Sequence, residues 1–319
     1  MDGARPKASI GSTHAQMQPK GIGMRFGVIA PFVDGLITSG EFLKEYAAVL
    51  EECGAESVWT VEHVVVAETY DPQYPYSASG RMAGRPGSTP MPDPLELLAF
   101  FACASSTLRL GTAMMVAPLH SPAVLAKRVA TIDRLSGGRV ELGLGIGWQR
   151  EEYAAVGVPF EKRGERLEEC IGALRALWSE SPASFTGRHV NFDRVFSDPR
   201  PEKPVPILLG GHSEPAVRRA GRLADGWFPF TIAPDEFAAK AETVRKEAVR
   251  HGRNPDAIEM TAWPASADPE SEWSLPWARR YVDAGATRLI VHGRIAAPDQ
   301  LDDLRLQLDR FREEVASRL

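Results

Sequence analysis

Three glycines at alternate positions, Gly143, Gly145 and Gly147, end an apolar run and are followed by Trp148. Side chains on a strand alternate between its two faces, so these glycines leave one face of a single strand bare. Such a strand marks a place where a ligand or another part of the backbone comes close. The pattern predicts either a flat ligand against the end of this strand or a barrel strand packed tightly against its neighbours. A dinucleotide-binding fingerprint is excluded, because Gly-x-Gly-x-x-Gly would need glycine in place of Trp148.

A Gly-Gly-His-Ser sequence precedes a helical pattern that has Pro215 in its first turn. Its residues are Gly210, Gly211, His212 and Ser213. The first turn of a helix carries backbone N–H groups without an intrahelical acceptor and the positive end of the helix dipole. Because the glycines allow close approach and the Ser213 hydroxyl can donate, we predict an anion site here, with a phosphate as its ligand. An ordinary helix N-cap by Ser213 is the alternative, and the two interpretations are compatible.

Two polar residues, Glu62 and His63, end the second predicted strand. Histidine titrates near neutrality and can give or take a proton, so His63 is the predicted catalytic residue, with a purely structural histidine as the alternative. Glu62 points to the opposite face of a regular strand, where it either contacts a cofactor or orients a neighbour. The following segment, Val64–Pro92, contains Tyr76 and five prolines. It predicts a lid, or a long loop fixed to the rim.

Strand-like and helix-like segments alternate along the chain. The predicted strands are Arg25–Ala30, Ser57–Val61, Arg109–Val116, Arg139–Gly145, Pro206–Gly210, Gly226–Phe230, Ile258–Trp263 and Arg288–His292. Each strand is followed by a helical pattern, so the eight units predict an α/β fold, a closed (β/α)8 TIM barrel. An open doubly wound sheet is the alternative. We expect two departures from a regular barrel: the lid segment after strand 2 and a hairpin insertion near residues 185–196, between strands 4 and 5.

In such barrels the active site lies at the C-terminal ends of the strands, where the unusual residues of this chain fall. Trp227 and Trp263 belong to the sixth and seventh strand ends. Together with Tyr76 they are predicted to line a substrate pocket, to which the lid segment and the hairpin also contribute. The residue types suggest a pocket that accepts apolar or aromatic groups.

Composition limits the remaining possibilities. The chain has 319 residues, 44% of them hydrophobic, and a net charge of −5. No basic run suggests nucleic acid, and no apolar stretch approaches the roughly 20 residues that cross a membrane. Residues 1–23 are polar, do not resemble a secretory signal and are predicted to be a disordered extension before a single domain over 24–319. Cys53, Cys103 and Cys170 have no metal-binding spacing, which predicts free thiols in a reducing cytoplasm.

Several longer segments resemble the bacterial luciferase-like monooxygenase superfamily, from about Met24 to the C terminus. They are MRFGV at 24–28, ESVWTVEHVVV at 56–66, RLGTAMMVAP at 109–118, VLAKRVATIDRLSGGRVELGLGIGWQREEYAAVGVPFEKRGER at 124–166 and PILLGGHSEPAVRRAGRLADGWFP at 206–229. Within the superfamily, residues 62–81 and the Leu-Gly-Gly-His-Ser sequence resemble the coenzyme F420-dependent oxidoreductases more than the luciferases proper.

The resemblance implies a deazaflavin or isoalloxazine ring over the strand ends. It also implies a cis peptide between Ala113 and Met114, in a bulge of the third strand that supports the ring, and a catalytic or substrate-facing role for His63. The implied cofactor contacts are Glu62, Ala113, Met114, Gly145, Gly147, Trp148, Gly210, Gly211, His212 and Ser213. Many F420 members carry aspartate in place of Glu62, and flavin-phosphate luciferases often carry arginine in place of Ile146.

The first hypothesis is therefore an F420-dependent oxidoreductase that transfers a hydride to or from a small organic substrate, with His63 moving the accompanying proton. The acidic tail of F420 would leave the pocket past basic residues, for which Arg81, Arg85 and Arg150 are candidates. The second hypothesis is a flavin mononucleotide (FMN)-dependent monooxygenase that uses O2 and reduced flavin from a partner reductase. The third is a binding protein without catalysis. The resemblance also suggests a homodimer, with no nucleic-acid or membrane partner.

Overall fold

Parallel strands form a closed ring at the centre of the structure. The structure is a computed structural model, and it describes residues 23–82, 87, 89–264 and 273–319. The strands are β1 (Arg25–Ile29), β2 (Ser57–Thr60), β3 (Arg109–Thr112), β4 (Met115–Val116), β5 (Val140–Gly145), β6 (Ala183–Thr186), β7 (Asn191–Val195), β8 (Ile207–Leu209), β9 (Gly226–Trp227), β10 (Glu259–Ala262) and β11 (Arg288–His292). Strands of the ring pair in the order β3-β2-β1-β11-β10-β9-β8-β5-β4, and β5 also pairs with β3. Since β3 and β4 share one position, the ring has eight positions, and the predicted (β/α)8 barrel is confirmed.

Helices surround the ring. They are α1 (Gly40–Glu52), α2 (Pro94–Ala104), α3 (Pro122–Leu135), α4 (Arg150–Val156), α5 (Arg163–Ser179), α6 (Glu214–Leu223), α7 (Pro234–Arg250), α8 (Leu275–Asp283) and α9 (Leu301–Glu314). Local signals explain their ends: the Asp93 carboxylate accepts from the Leu95 N–H at 2.8 Å at the start of α2, and Gly157, with φ 77°, ends α4. In the described ranges, no helix is long and apolar enough to cross a membrane.

Two predicted irregular regions are only partly described. Of the predicted extension, residues 1–22 lie outside the described residues, as do 83–86 and 88 of the lid segment. The predicted hairpin is present, because β6 and β7 pair antiparallel. It packs on α5, where a Cβ built on Gly172 would lie 2.6 Å from the Phe185 ring. The hairpin contributes no residue to the cavity described below, so the expectation that it lines the substrate pocket is wrong.

A network of charged side chains fills the N-terminal end of the ring. It consists of Arg25, Glu56, Arg109, Glu141, Glu259 and Arg288. Arg288 is fully buried, and its Nη1 atom lies 2.7 Å from Glu141 Oε2 and 2.6 Å from Glu259 Oε1. Its Nη2 atom lies 3.1 Å from Glu56 Oε1. Three guanidiniums thus face three carboxylates, and this balance offsets the cost of removing their charges from water.

The network predicts a pH-dependent stability. Burial alone would raise the pKa of Glu141, but Arg288 and Arg109 outweigh burial and hold it below its usual value. Such a carboxylate stabilises the fold above the unfolded-state pKa of about 4.3, and the contribution is lost as pH falls through the folded-state pKa. Glu141→Gln should therefore lower the free energy of unfolding in urea at neutral pH, by a difference that shrinks below about pH 4. An equal shrinkage in Glu242→Gln, which changes an exposed pair with Lys246 on α7, would contradict this origin.

Candidate active site

A cavity of about 680 Å³ opens at the C-terminal end of the ring. Its volume falls within the range of about 300–1,000 Å³ that small-molecule sites occupy. The predicted site residues that line it are Glu62, His63, Tyr76, Ala113, Met114, Gly145, Gly147, Trp148, Gly210, Gly211, His212, Ser213 and Trp263. The structure thus brings predicted residues from five strand ends and the lid segment around one space. Within the described ranges there is no cluster of side chains that could hold a metal ion.

Trp227 is the predicted pocket residue that the structure places elsewhere. Its side chain is fully buried on the helix side of the ring, where it stacks on Phe237 of α7 with ring centres 5.1 Å apart. Its Nε1 donates to the Gly211 carbonyl at 3.0 Å. Side chains alternate along a strand, so the next residue, Phe228, faces inward and lines the cavity. The sequence analysis therefore assigned the wrong member of this pair to the pocket.

His63 is held by a buried carboxylate. Its Nδ1 lies 3.0 Å from Oε2 of Glu152, a fully buried residue of α4 whose Oε1 accepts from the Val64 N–H at 2.6 Å. A carboxylate only accepts, so Nδ1 carries the proton of this hydrogen bond. The edge of the ring meets Trp148, with ring centres 5.9 Å apart. The arrangement leaves Nε2 as the nitrogen that can exchange a proton with a ligand.

Glu62 orients a neighbouring segment, which is one of the two roles expected for it. Its Oε2 accepts from the Val116 N–H at 2.5 Å, and its Oε1 lies 2.9 Å from Nε2 of His120. Both carboxylate oxygens are therefore engaged with the protein, although the residue borders the cavity. The Val116 contact holds the strand just after the bulge, where the implied cis peptide between Ala113 and Met114 is confirmed.

The three alternate glycines, two in β5 and one just after it, serve two different purposes. A Cβ on Gly143 would lie 1.9 Å from the Thr112 carbonyl oxygen, so this glycine is needed for tight packing inside the barrel. A Cβ on Gly145 would lie 3.3 Å from Met114, and Gly147 has φ 62°, a conformation that favours glycine. Both line the cavity. The packing interpretation thus holds at the buried end of the pattern, while the ligand interpretation stays a prediction at its exposed end.

The predicted anion site lies at the start of α6. Gly211 has φ 84°, and Ser213 occupies the N-cap position without a capping hydrogen bond from its side chain. The Ser213 hydroxyl is therefore not used for capping, and the N-cap alternative is wrong for its side chain. His212 Nδ1 lies 3.1 Å from Glu236 Oε1, and its ring stacks on Tyr76 at 5.5 Å.

Two arginines that the sequence analysis missed line the cavity beside this helix start. Arg219 lies two helical turns beyond Ser213 on α6, and its Nε donates to Glu168 at 3.0 Å. Arg163 begins α5 and lies 3.9 Å from the ring centre of Phe160. Its Nε is buried without a hydrogen-bond partner, and the described part of the chain shows no ion pair for it. Arg219 could have been predicted from the sequence, because Ser213, Ala216 and Arg219 follow each other at a spacing of three and share one helix face.

Of the three arginines proposed for an acidic tail, the two that the structure describes do not line the cavity. Arg81 lies over the Tyr70 ring at 5.4 Å. Arg150 donates to Glu161 at 2.7 Å, and its guanidinium carbon lies 4.4 Å from the centre of the Phe160 ring. Arg85 is among the residues that are not described. A role in ligand binding stays a prediction for each of them.

The described part of the lid segment is fixed to the first turn of α4 and the residue before it. Backbone N–H groups of Val64, Ala67 and Asp71 donate to the side chains of Glu152, Gln149 and Glu151 at 2.6, 3.2 and 3.3 Å. Tyr70 and Tyr74 place their rings 5.1 and 5.2 Å from Trp148. The segment therefore forms one wall of the cavity, while its opening and closing stay a prediction.

A TIM barrel with a cavity at the C-terminal ends of its strands has the architecture of a TIM-barrel enzyme. The chain belongs to the luciferase-like monooxygenase family, whose model matches residues 24–314. Members of this family are oxidoreductases and monooxygenases.

Particular relatives differ in their cofactor. An uncharacterized protein of Mycobacterium tuberculosis is 30% identical over 291 residues, 89% of this chain and 97% of the relative. An F420-dependent glucose-6-phosphate dehydrogenase of Kineococcus radiotolerans is 32% identical over 189 residues, 58% of this chain and 51% of the relative. An FMNH(2)-dependent dimethylsulfone monooxygenase of Pseudomonas putida is 32% identical over 174 residues, 53% of this chain and 47% of the relative. Both cofactors therefore occur among the relatives.

A solved structure gives the same result for the fold. The coenzyme F420-dependent tetrahydromethanopterin reductase of Methanopyrus kandleri aligns with a TM-score of 0.69 over 92% of this chain and 98% of that chain. The two sequences are 16% identical, so the match establishes the likeness of the fold alone.

Proposed function

We propose that this chain is a coenzyme F420-dependent oxidoreductase that transfers a hydride between the deazaflavin and a small organic substrate. The observation that supports it best is Arg163, a cavity-lining guanidinium whose Nε is buried without a partner. A buried guanidinium N–H without an acceptor is costly, so an anionic part of a ligand that accepts from it would remove this cost. F420 brings both a phosphate and an acidic oligoglutamate tail, and the residues at this end of the cavity fit such a ligand.

The choice of F420 over FMN rests on how the positive charge continues. Arg163 and Arg150 both lie against Phe160, with their guanidinium carbons 3.9 and 4.4 Å from the ring centre. The Arg150 side chain is 55% exposed and pairs with Glu161, so guanidiniums continue from the cavity wall to the surface, and a tail carboxylate would bind Arg150 in exchange for Glu161. A single flavin phosphate would need only the cavity end of this path, whereas a chain of carboxylates would follow it outward.

Different residues of the cavity would bind the phosphate, support the ring and transfer the proton. Gly211, Ser213 and Arg219 would bind the phosphate, and the bulge at Met114 would support the ring. When bound, F420 supplies the carbon that gives or accepts the hydride. His63 Nε2 would donate a proton when the substrate is reduced and accept one when it is oxidised. The hydride carries two electrons and one hydrogen, and the proton is the second hydrogen that the substrate gains or loses. Glu152 would keep Nδ1 protonated and so confine this exchange to Nε2.

An FMN-dependent monooxygenase is the second candidate. At the start of α6 the Ser213 hydroxyl makes no capping hydrogen bond, so it and the backbone N–H groups there offer enough donors for a single phosphate. One of the relatives also depends on FMNH2. This candidate would require O2 and reduced flavin from a partner reductase.

A binding titration tests the proposal. Purified protein is titrated separately with oxidised F420 and with FMN while tryptophan fluorescence is recorded. We expect quenching at micromolar or lower F420 and negligible FMN binding. Quenching should fall sharply in Trp148→Phe, which removes an indole that lines the cavity, and persist in Trp227→Phe, which removes an indole outside it. Tighter binding of FMN would overturn the F420 assignment, and binding of neither would overturn both candidates.

Arg163→Met should weaken F420 binding by about 10- to 100-fold, because it removes a charged hydrogen-bond donor worth about 1.5–3 kcal/mol. The methionine keeps an apolar stem against Phe160. Arg218→Met is the matched control, since Arg218 lies on α6 with a side chain 58% exposed and paired to Glu214. Isothermal titration calorimetry measures both dissociation constants. Equal affinities in the two variants would contradict a role for Arg163.

A further inference from the structure

The part of the cavity near His63 is enclosed by five aromatic side chains, which we call the aromatic arch. They are Tyr74, Tyr76, Trp148, Phe230 and Trp263. Successive ring centres along the arch, in the order Trp148, Tyr74, Tyr76, Phe230 and Trp263, lie 5.2, 5.4, 4.8 and 4.6 Å apart. The planes of successive rings meet at 65–83°, the edge-to-face arrangement that aromatic pairs prefer. The arch is therefore a continuous apolar wall that runs from the end of β5 to the end of β10.

Among the described residues near the arch, no carboxylate is free to bind a cation. The two candidates in this region are Glu62 and Glu152, and each has both oxygens engaged. Glu62 accepts from the Val116 N–H and contacts His120. Glu152 accepts from the Val64 N–H and contacts His63. A cationic group of a ligand would therefore have to displace an existing hydrogen bond.

No permanent cation faces the arch either, among the described residues. The guanidiniums that line the cavity are those of Arg163 and Arg219, beside the start of α6 at the predicted phosphate end. Burial raises the pKa of Tyr74 to about 12, with smaller contributions from neighbouring tyrosines, so its phenol stays neutral. His212, which stacks on Tyr76, already contacts Glu236. A phosphate or carboxylate at the arch would lose water and meet only His63, whose charge in the protonated form Glu152 already balances.

We infer that the substrate bound under the arch is an uncharged, mainly apolar molecule, and that a flat ring is the shape that the arch accepts best. The inference rests on the proposed function in one respect, that the cofactor occupies the arginine end and leaves the arch for the substrate. Ring edges supplied by Tyr76, Phe230 and Trp263 would pack on such a substrate, and His63 is the polar group that we expect to exchange a proton with it.

A matched pair of probes tests the inference. Naphthalene-2-carboxaldehyde and naphthalene-2-carboxylate share one skeleton and differ in charge. Their dissociation constants are measured by calorimetry on the F420-loaded protein. We expect the aldehyde to bind about 10- to 100-fold more tightly, because the carboxylate must lose water and gains no uncompensated positive charge in return. Equal affinities, or tighter binding of the carboxylate, would overturn the inference.

Substitution of one arch residue gives a second test. Phe230 is partly exposed, and Phe230→Arg would place a guanidinium in the arch. This variant should reverse the preference toward the carboxylate, whereas Phe230→Leu should weaken aldehyde binding and leave the aldehyde preferred. A carboxylate preference in Phe230→Leu, or no change in either variant, would count against the arch as the substrate site.

The cofactor titration keeps the two proposals separate. If F420 binds and the carboxylate is preferred, the substrate inference fails while the proposed function stands. If FMN binds in place of F420, the proposed function fails, and the same two probes on the FMN-loaded protein still decide the substrate class.

Discussion

Replacing His63 with alanine is expected to lower kcat by about 100- to 10,000-fold, the range of a lost general acid or base, with cofactor affinity nearly unchanged. His63 is fixed by Glu152 at 3.0 Å and borders the cavity, whereas Arg163 and Ser213 mark the predicted phosphate end. The two properties should therefore separate. The measurement is steady-state oxidation of reduced F420 with the best acceptor from a panel of neutral aromatic aldehydes, with calorimetry for cofactor binding.

Two further variants make this result specific. His251→Ala removes a surface histidine at the end of α7 and should retain full activity. Glu152→Gln should reduce kcat less than His63→Ala, because an amide oxygen can still accept from Nδ1 but carries no charge. A His63→Ala variant with near-normal kcat would exclude the proton-transfer role. A parallel loss of cofactor affinity would assign His63 to binding.

The strand ends were the part of the site that the sequence predicted well. In a parallel barrel every strand delivers its C-terminal residue to the same face, so residues far apart in sequence converge once the strands are recognised. His63, Trp148 and Ser213 meet around one cavity for this reason. The prediction needed only the strand count and the position of each residue within its strand, both of which are local properties of the sequence.

The errors arose where local pattern leaves a choice of face or partner. β9 spans only Gly226–Trp227, too short to show an alternation, so the sequence could not decide which of Trp227 and Phe228 faces inward. Arg163 reaches the cavity through the packing of α5 beside α6, a contact between segments about fifty residues apart in sequence. Such a residue resembles any surface arginine until the two helices are placed together.

The N-terminal end of the ring offers a signal that the sequence analysis did not use. Arg25, Arg109, Glu259 and Arg288 each begin a strand of the structure, and Glu141 is the second residue of β5. Because parallel strands in register bring their first residues to the same level, charged residues at these positions must meet inside the ring. Because both signs occur among them, they predict a compensated network, which is what the structure contains.

Arg288→Met should lower the free energy of unfolding by about 3–5 kcal/mol, because it leaves the carboxylates of Glu141 and Glu259 buried without their shared cation. The double variant Arg288→Met/Glu141→Gln should cost less than the sum of the two single changes, since it also removes one of the stranded charges. Urea denaturation at neutral pH measures all three values. Arg218→Met, in an exposed pair on α6, should cost no more than about 0.3–0.5 kcal/mol. Additive single changes would show that the cost of Arg288→Met comes from lost packing against Trp59, whose ring centre lies 5.2 Å from the guanidinium, and not from uncompensated charge.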